Sequence, residues 1–230
     1  MPLKIAILAS GSGTNAQAMI DKSADGILDV DIRMILSNRP GAGVLERARK
    51  AGLPHLALDH TLFPDRESYD RKLIAVLQES GAELIVLAGY MRLLSSAFLA
   101  AFAGRVVNIH PALLPSFPGV HGGADAQAYG VKISGCTVHF VEEKVDSGPV
   151  IIQAAVPVNA GEDPDDLMRR IHAMEHRIYP QALQWFAEGR ISTRGRQVHL
   201  ASDARAVRPP RPYVRPDGPW LVWPPLEEGF

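Results

Sequence analysis

Two short stretches hold residues whose types and spacing could do chemistry. In "VVNIHPALLPSFPG", Asn108 and His110 lie two apart on an extended segment. Alternate side chains of a strand share a face, so an amide and an imidazole would project together. In "LASGSGTNAQ", Gly11 and Gly13 follow an apolar run and precede a helical pattern. Glycine lets backbone approach an anion, and a helix N-terminus aims N–H groups at it. Gly11, Gly13 and Ala16 also fit G-x-G-x-x-A, the loose dinucleotide fingerprint. An NAD site needs an acid after the second strand, but that strand ends in Ser37, Asn38 and Arg39. Arg39 would suit a 2′-phosphate, so an NADP oxidoreductase stays open, as do another phosphate and a plain tight turn. Asn15 fits either a phosphate or a helix cap.

The elements that must position these residues alternate along the chain. Leu3–Leu8, Val30–Leu36, Leu56–Leu58, "ELIVLAG" and "RVVNIH" read as strands. Between them Asn15–Lys22, "AGVLERARKAG", Asp65–Ser80 and "SSAFLAAFAG" read as helices, with Gly81 stopping the third and Ser95 or Ser96 capping the fourth. The expected fold is α/β: an open, mostly parallel twisted sheet of Rossmann-like type with helices on both faces. "GCTVHFVEE" and "GPVIIQAAVPV", joined by "KVDS", add a C-terminal hairpin, and Pro164–Gly189 is a long helix. Asn108, the glycine loop and "AGYMRLL" all fall at the C-terminal ends of strands, where open α/β sheets bind ligands. That convergence argues for an active site. Taken singly, His110 reads as a core histidine, Asn108 and Asp146 as turn residues, and Arg66 and Arg92 as surface charges.

Composition narrows the classes. The chain has 230 residues, 47% hydrophobic, enough for one sizeable core. Its net charge of −1 gives no nucleic-acid stripe. Cys136 is the only cysteine, which excludes a disulfide frame and a cysteine zinc site. His110, His121, His139 and Asp146 follow no metal-ligand spacing. No signal peptide or membrane span is legible, so a cytoplasmic protein is expected. Residues 1–191 are read as the catalytic domain. Residues 192–230 are read as a Pro-rich surface tail, with seven prolines between Pro209 and Pro225, whose removal after Thr193 should leave turnover within a few-fold. The cluster Trp220–Trp223 is the part of that tail able to dock.

Several motifs in order carry a resemblance: "SGSGTNAQAMI", "SNRPGAGVLERARKAG", "LAGYMRLLS", "VNIHPALLPSFPG", "GCTVHFVEEKVDSGPVIIQAAVPV" and "EHRIYP". From about Lys4 to Gly189 the chain resembles the phosphoribosylglycinamide formyltransferases. The resemblance implies 10-formyltetrahydrofolate as co-substrate, no metal, no nucleic-acid or membrane partner, and a monomer or homodimer. Asn108, His110 and Asp146 match the family's catalytic trio. Gly13, Thr14 and Asn15 match its loop for the ribose phosphate, and His172, Ala173, Met174 and Glu175 match the rest of the ribonucleotide site. Arg66, Met91, Arg92, Leu93, Leu94 and Asn108, with Glu142, Glu143, Lys144, Val145 and Asp146, match the folate site. The glycine loop is then a cradle for a phosphate monoester.

The implied chemistry is acyl transfer between amines through a tetrahedral intermediate. Asn108 and protonated His110 would face the developing oxyanion. Asp146 would keep the imidazole protonated and help move a proton. Another folate formyltransferase or a formyl-folate hydrolase would share the trio. Gly122 and Gly123 depart from the family, which has bulkier residues there, and leave the shape of this segment and the part played by His121 open.

Overall fold

The computed structural model describes residues 1–202 and 221–230, with the backbone of residues 213–214. It divides into two compact units, residues 1–108 with 140–144, and residues 109–139 with 145–230.

In the first unit, strands β1 (Leu3–Leu8), β2 (Val30–Ser37), β3 (His55–Ala57), β4 (Leu84–Leu87) and β5 (Val106–His110) run parallel in the order β3-β2-β1-β4-β5. The last two residues of β5 open the second unit. Helices α1 (Thr14–Ala24), α2 (Gly43–Lys50), α3 (Arg66–Ser80) and α4 (Ser96–Ala101) connect them. Strand order reverses at β1, which leaves a crevice at the C-terminal ends of β1 and β4. The register sets Leu36, Leu8, Leu87 and Asn108 abreast, so these four strands end at one level. Ala6, Leu8, Ile85 and Leu87 pack with Tyr69, Leu73 and Leu77 of α3 and Phe98 of α4. The alternate residues Ile5, Ile7 and Ile35 are equally buried, so the strands are covered on both faces. The structure takes Ser95 rather than Ser96 as the α4 cap, keeps Gly81 as the α3 stop, and makes Asp65 a cap rather than the first helical residue. Asp65 accepts the Ser68 N–H at 2.6 Å, Ser95 caps α4, and Gly81 ends α3 at φ 73°.

The second unit holds α5 (Gly122–Tyr129), β6 (Ile133–Phe140), β7 (Val150–Pro157), α6 (Pro164–Ala187), β8 (Ile191–Arg194), β9 (Gln197–Leu200), β10 (Tyr213–Val214) and β11 (Leu221–Trp223). β6 and β7 are antiparallel, as expected, but their connection runs from Val141 to Pro149 rather than over "KVDS" alone. Thr137 and Gln153 stitch residues 112–114 onto these strands. The Thr137 hydroxyl donates to the Ala112 carbonyl at 2.7 Å, and the Gln153 amide donates to the Leu114 carbonyl at 2.9 Å.

The tail is more ordered than its composition implies. β8 and β9 form a hairpin where irregular chain was expected. β11 pairs antiparallel with β7 and buries Val222 completely. Beyond it, the Glu227 N–H donates to Gln181 at 2.8 Å, its carboxylate meets Arg190 at 2.8 Å, and Arg177 holds the Phe230 carbonyl at 2.9 Å. The prolines from Pro209 to Pro219, and Trp220, lie outside the described residues. Removing residues 221–230 exposes the edge of β7 and the site of a buried valine, worth about 2–4 kcal/mol with the lost hydrogen bonds. The expected result is a melting temperature lower by roughly 5–12 °C. Thermal unfolding of the truncated chain checks this, and an unchanged midpoint would show that the segment is not held.

Candidate active site

The first unit carries the glycine loop and the loop after β4. Gly13 is the N-cap of α1 at φ 75°, a left-handed conformation that suits glycine. Thr14 and Asn15 form the first turn, and the Gln17 N–H closes it on the Gly13 carbonyl at 2.9 Å. The buried Ser10 ties three strand ends together. Its N–H donates to the Gly89 carbonyl at 3.0 Å, its hydroxyl donates to Asn38 at 2.6 Å, and it accepts the Met91 N–H at 2.8 Å. Asn38 at the end of β2 is thereby spent on holding the loop, and the nearby Ser37 hydroxyl accepts the Arg39 N–H. β2 thus ends in Ser37, Asn38 and Arg39, without the acid that an NAD ribose would need at this strand end.

The loop after β4 is fixed by an aromatic pair. The Tyr69 and Tyr90 hydroxyls bond at 2.8 Å, and the Arg92 guanidinium lies 4.7 Å above the Tyr69 ring. Burial pushes both phenols up, so they stay neutral. The Met91 and Leu93 side chains are left exposed, at 55% and 60%, while Leu94 packs on the core. Arg66 is exposed at the start of α3 beside Glu67. Glu142, Glu143 and Lys144 are exposed in the connection after β6. Asn108 is half-buried on β5, paired in register with Leu87.

The second unit brings His110 and Asp146 together. The imidazole Nδ1 is 3.5 Å from Asp146 Oδ2, with the His110 side chain 4% and the Asp146 side chain 10% exposed. Its Nε2–H donates to the Phe117 carbonyl at 2.7 Å. Asp146 Oδ2 also accepts the Gly119 N–H at 2.7 Å. His139, weighed from the sequence only as a metal ligand, joins the pair: its Nε2 lies 3.6 Å from Asp146 Oδ1. A buried histidine seven residues before the aspartate was its signal, but it reads equally well as a core residue of β6. Phe117 and Asp146 adopt φ 53° and 49°, strained values for residues other than glycine that persist only where surroundings enforce them. On α6, Glu175 and Met174 are buried, while His172 and Ala173 are exposed. The Met174 side chain therefore serves packing, and His172 and Glu175 are the polar groups of that segment. Val145 is 44% exposed. Burial raises the Cys136 thiol well above its ordinary range, so it is no nucleophile.

A side chain at Gly122 or Gly123 would meet close neighbours. A Cβ on Gly122 would lie 2.8 Å from His110 Nε2 and 3.0 Å from the Phe117 carbonyl. A Cβ on Gly123 would run into Met168. The bare start of α5 packs directly on the imidazole, and His121, at the N-cap, faces solvent.

The formyl transferase family matches residues 3–183. The chain belongs to that family. It is 45% identical over 189 residues to the phosphoribosylglycinamide formyltransferase of Escherichia coli, covering 82% of this chain and 89% of that one. It is similar in structure to glycinamide ribonucleotide transformylase 1 from Symbiobacterium toebii, with a TM-score of 0.86 and 48% identity over 87% of this chain and 95% of that chain. It is also 46% identical over 188 residues to the trifunctional purine biosynthetic protein adenosine-3 of Drosophila melanogaster, matching 81% of this chain but only 14% of that longer protein.

Crowding at Gly122 makes a direct test. Gly122→Ala inserts a methyl group where His110 and a backbone carbonyl already touch. Overpacking of this kind costs about 1–3 kcal/mol. If the imidazole bears on the chemistry, kcat should fall by at least about tenfold, ~1.4 kcal/mol of barrier. Steady-state kinetics with a melting curve check it; wild-type turnover would show that this contact does not constrain His110.

Proposed function

We propose that this chain transfers the formyl group of 10-formyltetrahydrofolate to the amine of 5′-phosphoribosylglycinamide, a step of purine biosynthesis, in the cytoplasm. The observation that carries the reading is the buried His110–Asp146 pair in a member of the formyl transferase family. The Phe117 carbonyl can only accept, so Nε2 bears a proton. A neutral ring would then turn a bare Nδ1 lone pair toward the Asp146 carboxylate. A ring protonated on both nitrogens suits both neighbours.

Such an imidazolium is the donor that acyl transfer needs. The substrate amine attacks the formyl carbon, and the carbonyl oxygen becomes an oxyanion. Nε2–H leaves the Phe117 carbonyl for that oxygen, and the Asn108 amide supplies a second donor. Asp146 stabilises the imidazolium and, directly or through water, carries the proton from the attacking amine toward the leaving N10. Collapse breaks the C–N10 bond, with no covalent enzyme intermediate. The exposed Met91 and Leu93, with Arg66, Arg92 and Leu94, offer the folate an apolar face edged by charge. Glu142, Glu143, Lys144 and Val145 line the same substrate. Gly13, Thr14 and Asn15 take the phosphate, and His172 and Glu175 take the glycinamide ribonucleotide. Residues 1–191 carry this chemistry, and the docked C-terminal segment supports the fold.

A spectrophotometric assay of folate release with both substrates tests the reaction. In that assay Asp146→Asn should lower kcat by at least ~10²-fold, and Asn108→Ala by roughly 10²–10³-fold. KM values should move less, because these groups act mainly in the transition state. His110→Ala combined with Asp146→Asn should cost clearly less than the product of the two single losses, because Asp146 acts chiefly through the imidazole. Multiplying losses in the double variant would mean that the carboxylate acts independently of the imidazole.

A further inference from the structure

The glycine loop is pinned from outside by α2. The Val44 N–H donates to the Gly11 carbonyl at 3.1 Å. The Arg47 guanidinium donates from Nε to the Ser12 carbonyl at 2.7 Å and from Nη1 to the Gln17 side chain at 3.1 Å. The other end of that amide donates to Asp21 at 2.7 Å. Val44 itself packs so closely that a Cβ on Gly13 would lie 2.6 Å from it. Two successive carbonyls of the loop are therefore turned toward α2. In a trans peptide the N–H points opposite to the carbonyl. The N–H groups of Ser12 and Gly13 are thus directed away from α2, toward the open side of the loop. With Gly13 left-handed, successive amides so directed are suited to meeting an anion.

The charges of α2 divide in the same sense. Arg49 and Lys50 pair with Glu46, at 2.7 and 3.6 Å. These contacts hold the Glu46 carboxyl down at about 2, with Arg49 the larger cause. Arg47 instead spends its hydrogen bonds on a backbone carbonyl and a neutral amide. Its positive charge stays directed at the loop.

We propose that Arg47 is a positioning residue for the phosphate site: it fixes the Ser12–Gly13 peptide so that its N–H faces the phosphate monoester, and adds a cation behind the cradle. The proposal rests on the assignment of this loop to the substrate's phosphate. It is tested by comparing 5′-phosphoribosylglycinamide with the unphosphorylated glycinamide riboside in wild type, Arg47→Ala, Arg47→Lys and Asn15→Ala. Arg47→Ala should lower kcat/KM for the phosphorylated substrate at least tenfold, mainly through KM. The riboside and the folate KM should change less than twofold. Arg47→Lys, which keeps charge but loses the fork of donors, should fall between. Inorganic phosphate should inhibit wild type competitively against the ribonucleotide and inhibit Arg47→Ala more weakly. Equal losses with both substrates, or a raised folate KM, would reduce Arg47 to a structural role. Selective loss in Asn15→Ala beside wild-type Arg47→Ala would keep the phosphate site and overturn the part given to Arg47. Absence of any phosphate-dependent loss in either variant would overturn the phosphate assignment, and the proposal with it.

Discussion

A buried carboxylate needs partners, and the way Asp146 obtains them organises the second unit. Burying a lone charge costs several kcal/mol. Asp146 is met by two imidazoles and a backbone N–H, from His110, His139 and Gly119. Each partner comes from a different segment, so satisfying one side chain fixes three. Thr137 and Gln153 bind the loop that leads to Phe117 and Gly119. Gly122 lets α5 close on the imidazole. The positive φ values of Phe117 and Asp146 sit inside this network, where strain is held by surroundings that admit no other arrangement.

The first unit solves a different problem with backbone instead of charge. On the proposed reading, a phosphate is met by N–H groups whose partner carbonyls are turned the other way. α2 takes them up, through Val44 and Arg47. Ser10 then links this loop to the segment after β4 through one hydroxyl used as both donor and acceptor. Side chains with no place in the chemistry thus set the direction of the groups that have one. A purely local reading of G-x-G-x-x-A sees only the glycines.

Much of this was legible in the sequence. Apolar runs alternating with helical patterns gave the parallel strands, because β1 and β4 are buried on both faces and leave a continuous hydrophobic signature. Gly81 and Ser95 marked helix ends through local hydrogen bonds that spacing reveals, whereas Asp65, read as the first helical residue, proves to be the cap. The contact of His139 with Asp146 was not legible, because a histidine within an apolar strand carries the same mark whether it packs or pairs. The docking of the cluster around Val222 was legible, but its partner was not, because four residues between prolines carry no periodicity and their pairing with β7 is a long-range event. Gly122 looked like a departure from the family, and only the position of His110 gives it a reason.

The proposed chemistry needs the Asp146 carboxylate to face an imidazolium at His110. Ring 15N chemical shifts of His110 at neutral pH measure this most directly, in the wild type and in Asp146→Asn. A ring largely in the imidazolium form with the carboxylate, and largely neutral without it, is the result this account predicts. The same protonation state in both proteins would contradict it, leaving Asp146 as a brace for Gly119 and His139.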